Sequence, residues 1–147
     1  MTGWTHLGAE LPWLRGQGIH LAGQSSLPLV RRSLTAAGFT VVAGALAAGP
    51  GRYQGVGSAL RLPATVGSSL DALADALREL PTRWPDVGRL ALLMPDSAVL
   101  IRADLLAWTE LSLVLRQAGI ELWSGHRLLF ESVAFVDDGD FGADQPA

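Results

Sequence analysis

Two carboxylates four residues apart, Asp71 and Asp75, stand in a stretch where Leu70, Leu73, Leu77 and Leu80 recur at three- and four-residue spacing. That period predicts an amphipathic helix from Ser68 to Leu80, with the leucines inward and Asp71, Asp75, Arg78 and Glu79 outward. On such a helix the two acids lie one turn apart, their Cβ atoms about 5–6 Å from each other, and make one acidic patch. A patch of that kind suits a cationic partner. Each acid also has a plainer explanation. With Ser68 as N-cap, Asp71 falls at the third helical position, where a carboxylate reaches back to the cap and meets the positive helix end. Asp75 lies too far into the helix for that role, and its plainer reading is a solvated residue on the polar face.

Other chemistries lack their residues. The chain has no Cys and its eleven basic residues are all Arg, so thiolate nucleophiles, zinc-thiolate sites, disulfides, Schiff bases and a phosphate-loop lysine are excluded. His6, His20 and His126 have no motif around them, and one histidine per region does not make a metal site. Gly49-Pro50-Gly51-Arg52-Tyr53-Gln54-Gly55-Val56-Gly57 invites comparison with a phosphate-binding loop, but its glycines miss the dinucleotide spacing; a turn feeding a weak helix fits better. Asp137-Asp138-Gly139-Asp140 misses the calcium-loop spacing. The expectation is a protein that is not an enzyme, with no cofactor and no metal.

The elements that must position the acids follow from 147 residues, 49% hydrophobic and 17% charged, which suit one domain with a substantial core and no membrane span. A net charge of −3 argues against direct nucleic-acid binding. The start of the chain lacks the layout of a secretion signal, and a cytoplasmic location is expected. Residues 1–16 read as an irregular lead-in carrying Trp4 and Trp13, followed by a short strand over Gly18–Ala22 and a helix from Leu27 to Ala37, capped by Ser25 or Ser26 and ended by Gly38. Phe39–Ala43 reads as a buried strand, Arg52–Arg61 as the weak helix, Arg83–Val87 as a turn containing Trp84, and Leu90–Met94 as a strand buried on both faces. A short helical turn at Asp96 or Ser97 precedes a longer helix, Ala103–Gln117, stopped by Gly119. Ile120–Trp123 is strand or loop, and Leu128–Val136 is a closing strand interrupted by Glu131. The tail, 137–147, reads as disordered. Strands alternating with helices predict an α/β fold around a parallel sheet.

The run Leu62-Pro63-Ala64-Thr65-Val66-Gly67-Ser68-Ser69-Leu70-Asp71-Ala72-Leu73-Ala74-Asp75-Ala76-Leu77 resembles the core of the barstar family of ribonuclease inhibitors. There a Leu-Pro turn, two aromatics and a Gly lead into a helix carrying Asp-Ala-Leu and a second Asp four residues after the first. The order of the surrounding elements agrees. The resemblance implies a small parallel sheet of three to four strands with flanking helices in two or three layers, a barstar-like domain over 39–136, and residues 1–38 as an extension that could add a strand and helix. It implies an intracellular, immunity-type inhibitor whose acidic helix blocks the cationic active site of a secreted or toxin ribonuclease. Asp75 matches the carboxylate inserted among the enzyme's Arg and His side chains, Asp71 the one beside it, and Gly67 the family glycine of the loop. Thr65 and Val66 stand where the family has aromatics, Ser69 where it has Asn, and Ala74 where a large aromatic often lies. Val114 stands near a further acidic contact. The corresponding partner surface is therefore Asp71, Asp75, Gly67, Thr65, Ser69 and Ala74.

A second reading keeps the fold and changes the use: a non-inhibitory interaction or regulatory module, dimeric through tryptophans such as Trp108 and Trp123. Changing Asp71 and Asp75 would then leave partner binding intact.

Overall fold

The short β-rich runs become the strands of one sheet, and the periodic segments between them become the helices that cover it. In the computed structural model, which describes residues 19–67 and 69–138, the chain runs through β1 (Ile19–Gly23), α1 (Leu27–Ala36), β2 (Thr40–Ala43), α2 (Gln54–Ala59), α3 (Leu70–Leu77) and α4 (Leu80–Arg83). It continues through β3 (Arg89–Met94), α5 (Ser97–Ala103), α6 (Leu105–His126) and β4 (Leu129–Val136). The strands lie in the order β1-β4-β3-β2, every neighbouring pair parallel. His20 stands opposite Val133, Leu90 opposite Phe130, and Val41 opposite Ala91.

Parallel strands joined by crossover helices are covered on both faces, which is why the central pair reads as nearly continuous apolar sequence. On one face, Ala91 and Leu93 of β3 with Leu129, Val133 and Phe135 of β4 pack against Phe39 and against Val30 and Leu34 of α1. On the other, Leu90, Leu92, Met94, Phe130 and Ala134 join a larger core with Val56 of α2, Leu73 and Leu77 of α3, and Leu111, Leu115 and Ala118 of α6. The result is three layers, with α3 and α6 side by side on the larger core.

Several expectations are corrected. The strand at 39–43 is not buried: Phe39 is, but β2 pairs only with β3 at the sheet edge and Thr40 and Ala43 are exposed. The helix expected over 68–80 ends at Leu77, and a separate turn of helix, α4, takes up part of the expected Arg83–Val87 turn. Pro81 explains the break, since it has no N–H to donate and its ring would press on the carbonyl of Leu77. Gly119 does not stop the long helix. α6 runs unbroken through it and through Ile120–Trp123 to His126, ending where Arg127 turns left-handed at φ 54°. A Cβ at Gly119 would stand 3.0 Å from the Phe130 carbonyl oxygen, so the glycine lets the helix lie close on β4. Glu131 does not interrupt β4; it is buried within it.

The glycine-rich stretch also serves packing. A Cβ on Gly55 would lie 2.6 Å from the Ala45 carbonyl oxygen, so α2 can touch the segment leaving β2 only with glycine there. Trp84 pins the far end of α2: its Nε1 donates to the Leu60 carbonyl at 2.9 Å, and the Arg61 guanidinium lies 3.6 Å from its ring centroid. Residues 1–18, with Trp4, His6 and Trp13, and 139–147, with Gly139 and Asp140, lie outside the described residues, as does Ser68. Of the expected disordered tail, Asp137 meets Arg102, and Asp138 Oδ1 accepts from the Ser25 amide at 3.0 Å.

Candidate partner-binding surface

The acidic helix is held at its start by Ser69, not by the expected Ser68. The Ser69 hydroxyl accepts from the Ala72 amide at 3.2 Å, so Asp71 takes the second helical position, still within reach of the positive helix end. Leu73, Ala76 and Leu77 are buried and fix the helix on the core, leaving Asp71 and Asp75 exposed. The Asp75 side chain is 79% accessible and accepts from Arg78 Nη1 at 3.2 Å. Arg78 also reaches α6, its Nε 3.9 Å from Glu121 Oε2. These exposed pairs add little to stability; they orient charge along the seam between the two helices.

The loop ahead of the helix descends from α2 through Leu62-Pro63 and a 3-10 turn at Ala64–Val66. Val66 is buried against Gly57, and Thr65 is exposed. Gly67 is buried, and its carbonyl accepts from the Tyr53 amide at 2.7 Å. Its φ of −58° is open to any residue, and a Cβ would meet only the mobile end of the Gln54 side chain, at 2.5 Å, so neither backbone conformation nor packing demands glycine here. Ala74 is half-buried and, with Leu77 and Val114, lines a groove of about 500 Å³ between α3 and α6. Thr65, Ser69, Asp71 and Asp75 are thus exposed, with Ala74 on the groove side of the helix and Gly67 inside.

A second cleft, about 420 Å³, opens at the beginning of the acidic helix between Gly49–Tyr53 and the first turns of α6, with Leu70 in its wall. Asp104 caps α6 by accepting from the Ala107 amide at 3.0 Å, and it pairs with Arg52 Nη1 at 3.1 Å. The backbone hydrogen bond first, and Arg52 second, hold its carboxyl below the usual aspartate range. Asp104 in turn raises Arg52, and burial raises the Tyr53 hydroxyl. Glu110 lines the same cleft. Asp104, Glu110 and Glu121 were not anticipated beside the acidic helix. The one available signal was an Asp directly before Leu105-Leu106, which fits an N-cap better than the expected start at Ala103.

Among the histidines, His20 is buried on β1 with Nε2 3.0 Å from Glu131 Oε2, a partnered core residue. His126 ends α6 at the edge of the groove. No cluster of metal-ligating side chains occurs among the described residues, and none of their helices is long and apolar enough to cross a membrane.

The family model described as Barstar (barnase inhibitor) matches residues 40–133, from the first residue of β2 into β4. No curated protein and no solved structure matches the chain. The matched span is well over half of the sequence and contains the capped acidic helix, the loop ahead of it and the strands beneath it, and on that ground the chain belongs to the barstar family.

Proposed function

We propose that this protein is an intracellular inhibitor, of the immunity type, for a small secreted or toxin ribonuclease of bacteria. The observation that carries the reading is the pair Asp71 and Asp75, exposed one turn apart on a helix that a buried leucine face and a serine cap hold rigid. A ribonuclease active site is a cationic pocket built to hold phosphate. Two fixed carboxylates can occupy such a pocket as phosphate mimics, attracted over distance by charge and then desolvated against Arg and His side chains. Inhibition is by blockade, with no bond made or broken, no cofactor and no direct contact with nucleic acid. Glu110, in the wall of the second cleft, adds a further negative charge at the start of the helix, which favours fast capture of a cationic enzyme.

Thr65, Ser69 and Ala74 make this surface flatter than one bearing aromatic anchors. The expected contact is led by charge and loses strength as salt rises. The test is titration of the protein into a panel of small secreted bacterial ribonucleases, with residual RNA cleavage read beside Asp75→Ala. Stoichiometric inhibition by the parent and its loss in the variant support the reading. Inhibition that survives the substitution removes the acidic helix from the mechanism, and no inhibition across the panel moves the weight to the interaction module.

A further inference from the structure

The described residues expose five large aliphatic side chains, and all lie on α5 or α6: Val99, Leu105, Leu106, Leu113 and Ile120. Three of them, Leu106, Leu113 and Ile120, follow each other at seven-residue intervals, so they form one line drifting only about 20° per step around the helix. They are 69%, 59% and 52% accessible. Buried residues at Leu111, Leu115, Ala118 and Leu122 already hold α6 on the core, so this second apolar line is not needed for folding. Leu113 itself forms part of the wall of the groove between α3 and α6, which is also lined by Ala74, Leu77, Val114 and Ala118 and by the charged Arg78 and Glu121.

A projecting side chain and a hole of matching character thus lie side by side on one face. A two-fold interface requires that arrangement, because the same patch must act as both donor and receiver. The rim carries one charge of each sign, Arg78 and Glu121, 3.9 Å apart, so a second copy brings no excess of like charge against it. A strongly cationic partner finds its complement instead on Asp71 and Asp75. The 22 residues of α6 span about 33 Å and the 8 of α3 lie beside it for only about 12 Å, so the paired face falls below the ~800 Å² per subunit of a standard interface and suits a reversible dimer, not a permanent one.

We propose that this face pairs with itself, giving a two-fold homodimer in which Leu113 of each copy enters the α3–α6 groove of the other. Arg78 joins the groove rim to Asp75, so a seated copy stands against the acidic patch. On the inhibitor reading, which this consequence alone rests on, dimerisation and nuclease capture exclude one another, and inhibitor held in excess is stored as dimer.

Sedimentation velocity on the full chain across the micromolar range tests the dimer without any nuclease. The expected result is a reversible monomer–dimer equilibrium. Leu113→Arg, which would place two like charges across the axis, raises the dissociation constant by about a hundredfold or more while the circular dichroism spectrum and thermal midpoint stay unchanged. Ala74→Trp, which fills the groove from within, independently weakens the dimer. A parent monomeric throughout that range overturns the proposal, including the case in which another segment of the same chain covers the groove. Open-ended oligomers overturn the two-fold pairing, and a dimer indifferent to both substitutions overturns the assigned face.

Discussion

Asp75 on α3 and Glu131 on β4 are both carboxylates in regular structure, yet they stand at opposite extremes. The Asp75 side chain is 79% accessible, and its ion pair with Arg78 is one that water could replace. Glu131 is 8% accessible in the α1 face of the sheet, with His20 as its partner. The difference teaches where each acid's worth lies. A solvated acid adds almost nothing to the fold and keeps its capacity to bind, whereas a buried one is committed to the fold and has nothing left to offer a partner.

Removing the buried partner breaks this comparison most forcefully. Glu131→Ala is expected to cost about 3–5 kcal/mol of unfolding free energy in urea titration, as is usual when a buried pair is left incomplete. Replacing both His20 and Glu131 by apolar residues of similar size should recover most of that loss. Asp75→Ala should do the reverse: an unchanged thermal midpoint, with affinity for a cognate nuclease reduced by about 2–5 kcal/mol, roughly thirtyfold to several thousandfold, read by calorimetry or inhibition kinetics. A matching fall in stability would place Asp75 in the structural class. Ser69→Ala sits between them, expected to lower stability by about 1 kcal/mol through loss of the cap and to loosen the first turn under Asp71.

The smallest effect separates the two classes by pH. The Asp104 carboxyl lies below its ordinary range because the Ala107 amide and Arg52 favour the charged form. Its stabilising contribution is therefore complete above the ordinary aspartate range and disappears as the pH falls through the depressed value. Asp104→Asn, which can still cap α6, should flatten the acid side of the stability profile. Tyr53 carries the opposite sign, because burial favours its neutral form and its contribution is lost only as alkaline pH ionises it. Thermal midpoints measured across pH check both arms.

The residues that declared themselves in the sequence were those whose role is periodic. The leucines of α3 and the unbroken apolar run of β3 announced a helix and a buried strand, and the alternation of strands with helices announced a parallel sheet, while the choice between two and three layers stayed open until the helices were placed on both faces. Glycine was the weak point. Gly38 ends α1 with φ 89° as expected, but Gly119 allows a helix to press on a carbonyl and Gly55 allows one to touch a loop. Those roles depend on what lies opposite, which local pattern does not carry. The candidate surface divides in the same way. That Asp71 and Asp75 share one exposed helix face was legible from their four-residue spacing, while a binding role for them came only from the family resemblance; Glu121 beside α3, and Asp104 and Glu110 in the cleft at its start, are placed there by α6 folding back.

The His20–Glu131 contact also bears on where this protein can be cut. The family match begins at residue 40, but β1 lies before it and covers the outer edge of β4. Excising residues 40–136 would strip that edge, exposing its unpaired backbone groups together with a carboxylate that has lost its imidazole. Such a fragment is expected to aggregate through β4. The smallest soluble piece should therefore begin at or before Ile19, so that β1 travels with the strand whose edge it covers.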